Sequence, residues 1–243
     1  MGATGSILQL CNLTRRVGEG TPARAIVDDV SYSFDSGRLY SIIGPSGAGK
    51  SSLLRLLNRL DESTNGYVKF EGSDTREFSP CELRQRVGYL FQTPHLFDRT
   101  VRDNIVYAQP DLSESKINRL IQQVQLPSGI VDAPVDNLSV GERQRVALAR
   151  LLATQPEVAL LDEPTAALDP ANTEAIERLI GSVVKDCGVT VIIVSHSPQQ
   201  VVRLGGEAIL MVEGKLIEHG DALQLVKNPG TPQGRRYMNG ELQ

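Results

Sequence analysis

Residues 44–51 read GPSGAGKS and match the pattern GxxxxGK[ST]. The glycines of such a segment let backbone N–H groups turn toward a polyphosphate, and the helix that follows presents its positive end to the same anion. In this pattern Lys50 reaches the β- and γ-phosphates, and the hydroxyl of Ser51 is placed to ligate Mg²⁺. We therefore expect a phosphate-binding loop made of Gly44, Pro45, Ser46, Gly47, Ala48, Gly49, Lys50, Ser51 and Ser52.

The segments on either side of this loop have the context that a phosphate-binding loop requires. LYSII, residues 39–43, is a short apolar run that predicts a buried strand. After the loop, leucines recur at helical spacing, at Leu53, Leu56, Leu57 and Leu60, so a helix is expected to begin near Lys50. A glycine-rich turn that only joins a strand to a helix is the alternative, and the strand–loop–helix context disfavours it.

Short apolar runs alternate with helical periodicities along the rest of the chain, which is typical of an α/β fold with a mostly parallel sheet. One amphipathic helix is predicted between Glu114 and Leu126. Residues 93–138, approximately, are expected to form a helical subdomain inserted into a single domain whose core is 1–92 and 139–243. Further strands are predicted at 68–70, 87–91, 158–161 and 189–194, with a hairpin at 209–217.

Composition limits the classes of protein to which the chain can belong. It has 243 residues, of which 40% are hydrophobic and 22% charged, as in an ordinary globular domain. Its net charge of −4 gives no basic footprint for nucleic acid, so no such partner is expected. No apolar run approaches the roughly 18 residues of a membrane-spanning helix. Three scattered cysteines, Cys11, Cys81 and Cys187, indicate a reducing compartment, and we expect a cytoplasmic protein.

Two adjacent acids follow the predicted strand at 158–161. Asp162 and Glu163 thus lie at the carboxyl end of a strand, where open α/β sheets bind their ligands. Asp162 is a candidate Mg²⁺ ligand, and Glu163 a candidate base for the attacking water. Strands often end in solvated acids, but the phosphate-binding loop favours the functional interpretation.

A second helix start also has the features of an anion site. Ser139 and Glu142 have the S-x-x-E spacing of a capping box, and Gly141 lies between them. A well-capped helix start is the simplest interpretation. Its unpaired N–H groups would also receive a docked phosphate. One ATP has no obvious need of two such helix ends on the same subunit.

LSVGE, residues 138–142, resembles the LSGGQ signature of ATP-binding cassette (ABC) ATPases, and other motifs of that family follow in its order. GPSGAGKS resembles Walker A and VALLDEP, residues 158–164, resembles Walker B. Gln92 resembles the Q-loop glutamine, Asp169 the D-loop aspartate and His196 the switch histidine. The resemblance extends from Leu8 to about Asp221.

This resemblance implies a P-loop NTPase core with a mostly parallel sheet, an antiparallel β region at the N-terminus and an inserted α-helical subdomain. It implies a head-to-tail dimer in which ATP held by Lys50 is covered by Ser139, Gly141 and Glu142 of a second copy. Catalysis would then use Glu163, His196, Gln92 and Lys50, with Mg²⁺ held by Ser51, Gln92 and Asp162, while Asp169 communicates across the dimer.

The resemblance also implies a partner in the membrane, reached from its cytoplasmic face. The family's ATPases drive a permease, here a separate chain, whose coupling helix docks beside the Q-loop, around Gln92–Ala108. Exposed apolar residues such as Leu96, Phe97 and Val101 would suit that contact, although each of them could instead belong to the subdomain's core.

The sequence departs from the family pattern at several positions. Val140 replaces a glycine of the signature, Glu142 its glutamine, and Ser197 the acid that usually follows the histidine. The family usually stacks adenine on an aromatic residue upstream of the phosphate loop, but residues 15–24, RRVGEGTPAR, contain none. We expect Arg15, Arg16 or Val17 to cover the base instead, with weak affinity and poor selectivity for adenine.

Two other functions are compatible with parts of the pattern. A soluble ABC ATPase of a cofactor-assembly complex would share all the motifs but would not bind a permease. A P-loop kinase would share the phosphate-binding loop but would leave LSVGE and the D-loop without a role. We therefore expect the ATPase subunit of an ABC transporter.

Overall fold

The computed structural model describes residues 5–18 and 24–242. Its strands are β1 (Ser6–Val17), β2 (Arg24–Asp35), β3 (Leu39–Ile43), β4 (Asn65–Phe70), β5 (Ser73–Asp74), β6 (Val87–Leu90), β7 (Val158–Asp162), β8 (Thr190–Val194), β9 (Glu207–Val212) and β10 (Lys215–Asp221). Its helices are α1 (Lys50–Leu57), α2 (Pro80–Arg86), α3 (Val101–Ala108), α4 (Glu114–Gln123), α5 (Val140–Ala153), α6 (Pro170–Cys187), α7 (Pro198–Leu204), α8 (Ala222–Lys227) and α9 (Pro232–Met238).

A six-stranded sheet with the order β10-β9-β3-β8-β7-β6 forms the centre of the molecule. All neighbouring strands in it are parallel except the β9–β10 hairpin. Every residue of β3, β7 and β8 is buried, as expected for strands covered on both faces. The predicted α/β fold with a mostly parallel sheet is therefore confirmed, and the carboxyl ends of β3, β7 and β8 meet at one edge.

A second, antiparallel sheet with the order β2-β1-β4-β5 is built from the N-terminal part of the chain. Its buried residues Leu8, Phe34 and Phe70 share one hydrophobic cluster with Ile42 of β3 and Leu53 of α1. Helix α1 therefore packs into a core that both sheets share, and this core fixes the start of α1 beneath the phosphate-binding loop. The predicted antiparallel N-terminal region is confirmed.

The region between Gln92 and Leu138 is helical, and its apolar side chains pack in one core with those of α5. Ile117, Leu120 and Ile121 of α4 lie in one hydrophobic cluster with Val146 and Ala149 of α5. Because α5 completes the packing of this region, the boundaries 93–138 of the inserted subdomain stay a prediction.

Several predicted elements have different ends in the structure. The helix predicted to reach Leu126 ends at Gln123, and Gln125 adopts a left-handed backbone with φ of 57°. The strand predicted over 87–91 ends at Leu90. The second strand of the predicted hairpin is longer than expected, because β10 stays paired with β9 as far as Asp221 opposite Glu207. Among residues 5–18 and 24–242, no helix has the length and apolar character needed to cross a bilayer.

Candidate nucleotide site

The phosphate-binding loop joins β3 to α1 through three glycines with positive φ, namely Gly44 (148°), Gly47 (76°) and Gly49 (94°). A Cβ atom on Gly44 would lie 2.0 Å from the carbonyl oxygen of Met211, and one on Gly49 would lie 2.2 Å from that of Ile26. Both positions therefore require glycine for conformation and for space. The loop is held open for an anion by backbone packed against β9 and β2.

Lys50, the first residue of α1, is folded back along this loop. Its Nζ atom donates hydrogen bonds to the carbonyl oxygens of Gly44 (2.8 Å) and Pro45 (2.9 Å), and the residue is only 5% exposed. Burial lowers the pKa of Lys50, while the nearby charges of Glu163 and Asp162 act in the opposite direction. The ammonium group is thus placed inside the loop, as binding of the β- and γ-phosphates requires.

Oxygen donors meet beside the loop at the end of β7. The Ser51 hydroxyl donates to Oδ1 of Asp162 (2.8 Å), and the Tyr89 hydroxyl donates to Oδ2 of the same carboxylate (2.7 Å). Burial and the charge of Asp162 raise the pKa of Tyr89, so its hydroxyl stays protonated. A hydroxyl and a carboxylate next to a polyphosphate cradle are the hard ligands that Mg²⁺ prefers, so Ser51 and Asp162 fit this ion.

Glu163 occupies a strained position from which its carboxylate is held by two side chains. Its backbone has φ of 47°, unusual for a residue other than glycine, and its side chain is 14% exposed. Oε1 contacts Nε2 of His196, and Oε2 accepts a hydrogen bond from the side-chain amide of Gln92 (3.1 Å). The structure thus brings together three residues that the sequence predicted separately, from the ends of β6, β7 and β8.

The predicted capping box at the start of α5 is present. The amide N–H of Glu142 donates to the hydroxyl of Ser139 (3.3 Å), and the Glu142 carboxylate accepts from the Ser139 N–H (2.9 Å) and hydroxyl (2.7 Å). These bonds lower the pKa of Glu142. Within the described part of the chain, the side-chain hydrogen bonds of Ser139 stay inside this box and none reaches the phosphate-binding loop. The capped helix start at Ser139 is therefore separate from the phosphate-binding loop within one chain, and its role as an anion site stays a prediction.

A bridge of side chains ties this helix start to the D-loop. Asp169 caps α6 by accepting from the N–H of Asn172 (3.0 Å), and the Asn172 amide donates back to Oδ2 of Asp169 (2.6 Å). The amide oxygen of Asn172 accepts from Arg145 (3.1 Å), which also donates to the carbonyl of Gly141 (3.3 Å). The backbone and side-chain hydrogen bonds from Asn172 lower the pKa of Asp169, and the bonds from Arg145 connect this cap to α5.

The hydrogen bonds of Asn172 explain why glycine is needed at position 141 of the LSVGE segment and not at position 140. A Cβ atom on Gly141 would lie 2.7 Å from the amide oxygen of Asn172, so a side chain there would break the bridge. Val140, in contrast, is 52% exposed and meets no such obstacle within its own chain. The departure at Val140 is thus compatible with the fold. Ser197 likewise keeps its predicted role, because it caps α7 ahead of Pro198.

Sequence reasoning missed Tyr89 and Asn172, although both carried a weak signal. Tyr89 has the one hydroxyl in the otherwise apolar run VGYLF, and Asn172 stands three residues after a predicted helix cap.

Near the expected base site, a guanidinium nitrogen of Arg15 donates to the carbonyl of Glu62 (2.7 Å) and Val17 is 37% exposed. Residues 19–23 of the stretch without aromatics lie outside the described residues, and cover of the base by Arg15, Arg16 or Val17 stays a prediction.

Comparisons with known proteins identify the family of this chain. The family model described as "ABC transporter" matches residues 27–166. Protein STAR1 of Oryza sativa subsp. japonica is 41% identical over 240 residues, which cover 97% of this chain and 68% of that protein. ABC transporter I family member 17 of Arabidopsis thaliana is 41% identical over 215 residues, covering 87% of this chain and 81% of that protein.

Solved structures similar to this chain have the same fold, and one of them is a state that follows ATP hydrolysis. A dimeric ATP-binding cassette in a post-hydrolysis state with ADP and phosphate superposes with a TM-score of 0.79 and 28% identity, covering 88% of this chain and 98% of that one. These matches define an ATP-hydrolysing cassette with a P-loop fold. The chain belongs to the ABC transporter family, and it is an ABC-type ATPase.

Proposed function

We propose that this ATPase is the nucleotide-binding subunit of a transporter, in which two copies close head-to-tail around two Mg·ATP and thereby move a separate membrane permease. The observation that carries the proposal is that one chain holds two groups of predicted site residues that lie apart from each other. Lys50 lies inside the phosphate-binding loop and Glu163 contacts His196 beside it, whereas the exposed helix start at Ser139 has no contact with these residues. A second copy would complete each site, and the similar dimeric cassette supports this arrangement.

The residues of the first site have distinct tasks in this proposal. The loop N–H groups and Lys50 hold the phosphates, and Mg²⁺, when bound by Ser51, Gln92 and Asp162, would neutralise charge on the β- and γ-oxygens. Glu163 accepts the proton of the attacking water, and His196 contacts both the γ-phosphate and the Glu163 carboxylate and keeps them in position. Ser139, Gly141 and Glu142 of the second copy would cover the γ-phosphate, and Asp169 would contact the opposite site.

A groove beside the Q-loop is the surface that we assign to the permease. It encloses about 410 Å³ and is lined by Phe91, Phe97, Tyr107 and Arg150. Tyr107 is 69% exposed, and its ring centroid lies 4.3 Å from the ring centroid of Phe97, which is 40% exposed. Exposed aromatic side chains in contact with each other are typical of protein interfaces. Val101 belongs instead to the core of the helical region, the alternative that the sequence left open, because it is fully buried, and Leu96 is partly buried against the same core.

Replacing Phe97 by aspartate should abolish recovery of a membrane protein with this chain, because the variant loses an exposed aromatic ring and would bury a carboxylate in the interface. The measurement is affinity purification of the tagged chain from detergent-solubilised membranes of the source cells, followed by identification of the co-purified membrane protein. Leu223→Asp is the matched control, since Leu223 is 41% exposed on α8, at the opposite edge of the sheet from β6. Equal recovery with Phe97→Asp would place the permease elsewhere.

The same experiment separates the proposal from its alternative. A chain that binds only water-soluble proteins and no membrane protein would act in cofactor assembly instead. The relatives do not favour that alternative, because one of them is named as an ABC transporter member. By the same proposal, the protein works at the cytoplasmic face of a membrane and has no nucleic acid partner.

Binding of the base is expected to discriminate poorly between ATP and GTP, because no aromatic residue is available in residues 15–24 for stacking. Affinities for fluorescent derivatives of the two nucleotides, measured with Mg²⁺ present, should differ by less than about tenfold, or 1.4 kcal/mol. A much stronger preference for ATP would show that other residues recognise adenine. The Val17→Tyr variant restores an aromatic residue near the end of β1 and should increase the affinity for both nucleotides.

A further inference from the structure

Tyr89 is the only residue of β6 whose side chain contacts both the magnesium-binding carboxylate and the wall of the groove, among the residues that the structure describes. Its hydroxyl donates to Oδ2 of Asp162, and its ring lies 4.7 Å from that of Phe91, which is 42% exposed in the groove. Tyr89 itself lines this groove. One side chain therefore joins the two places that a transporter ATPase has to coordinate.

We propose that Tyr89 is a positioning residue that orients Asp162 toward Mg²⁺ and makes this orientation depend on packing in the groove. The inference rests on the function proposed above. It assigns to a tyrosine hydroxyl a role that is separate from that of the Q-loop residue Gln92, whose amide contacts Glu163 rather than Asp162.

The first argument is the pattern of hydrogen bonds around Asp162. This carboxylate is 5% exposed, and each of its oxygens has its own hydroxyl donor, Ser51 on Oδ1 and Tyr89 on Oδ2. When Ser51 turns toward a metal ion, Tyr89 is the donor that remains to fix the rotation of the carboxylate. Groups that hydrogen-bond a metal ligand from behind typically change metal affinity by about 10–100-fold.

The second argument is the position of the ring. Phe91 follows directly after the end of β6, and its ring centroid lies 4.7 Å from that of Tyr89, so the two rings are in direct contact. The backbone of Tyr89 pairs with Leu160, two residues before Asp162, in the parallel ladder of β6 and β7. A displacement of Phe91 by an occupant of the groove would be passed to the Tyr89 ring by direct contact and then to Oδ2 through one hydrogen bond.

Simple packing is the competing explanation, because Tyr89 also lies against the shared hydrophobic core. If packing were its whole role, Tyr89→Phe would remove one hydrogen bond and lower stability, but it would leave the response to magnesium unchanged. The two explanations therefore differ in the magnesium dependence of nucleotide binding, which does not require turnover.

The experiment measures binding of a fluorescent, non-hydrolysable ATP analogue to the full chain, once with Mg²⁺ and once with a chelator. The ratio of the two dissociation constants gives the gain in affinity that the metal provides. We expect Tyr89→Phe to reduce this gain about tenfold while the affinity without metal stays the same. Tyr67→Phe, which removes a hydroxyl from the N-terminal sheet, is the matched control and should keep the full gain.

Phe91→Ala provides a second, independent test, because it removes the ring against which Tyr89 packs and leaves the hydroxyl in place. It should reduce the gain in the same direction, by less than Tyr89→Phe does. An unchanged gain in folded Tyr89→Phe, or in Phe91→Ala if the first variant fails to fold, would overturn the inference alone. A parent chain that binds no analogue at all would instead overturn the proposed function.

Discussion

Replacing Glu163 by glutamine is expected to reduce ATP turnover by about 10²–10⁴-fold, the usual contribution of a general base. Glutamine has nearly the same shape, so contacts with His196 and Gln92 can persist, but it cannot accept the proton of the attacking water. Binding of Mg·ATP should remain, and the proposed dimer should accumulate because hydrolysis no longer opens it. Phosphate release measures the first effect, and size-exclusion chromatography with Mg·ATP measures the second.

The matched control for this variant is Glu174→Gln, which makes the same chemical change on α6. The Glu174 side chain is 63% exposed and pairs only loosely with Arg178, at 3.7 Å. It should hydrolyse ATP at the parent rate and stay monomeric under turnover. If Glu163→Gln also hydrolysed ATP at the parent rate, our assignment of the base would be wrong.

Replacing Ser139 by arginine should also abolish hydrolysis, but by a different route. The arginine would place a long side chain where the helix start has to approach the nucleotide on the second copy. ATP would still bind to Lys50 and the phosphate-binding loop of a monomer, since these have no contact with Ser139. The expected pattern is therefore unchanged nucleotide affinity, loss of ATP-dependent dimerisation and loss of turnover, measured by fluorescence binding, chromatography and phosphate release.

Ser139 also caps α5, and loss of that cap alone would cost about 1 kcal/mol of stability. Ser139→Thr separates the two effects, because threonine keeps the cap and adds only a methyl group. It should retain most of the turnover of the parent chain. Dimerisation and hydrolysis at parent levels in Ser139→Arg would show that the signature helix does not cover the nucleotide.

The sequence predicted those features of the site that depend on local pattern. The phosphate-binding loop, the capping box at Ser139 and the cap at Asp169 each occupy a few consecutive residues, and their geometry follows from the chemistry of these residues. The parallel sheet was predictable for a similar reason, since strands buried on both faces have continuous apolar sequences. The residues around Glu163 were predicted one by one, through the order of the motifs.

Contacts between distant segments could not be predicted in this way. Tyr89 meets Asp162 across 73 residues of sequence because β6 and β7 pair in one particular register, and nothing local fixes that register. The place of Val101 could not be decided from the sequence for a related reason. Its spacing allows either the groove or the core, and only the packing of α3 against α5 decides that it is buried.

The bridge of Arg145 and Asn172 has a consequence for how two copies would associate. It joins Gly141 and Asp169 into one corner through hydrogen bonds within a single chain. In the proposed dimer, each copy would therefore offer a preorganised surface to the other, and closure would require little ordering of loops. Most of the binding free energy of ATP could then be used to move the partner in the membrane.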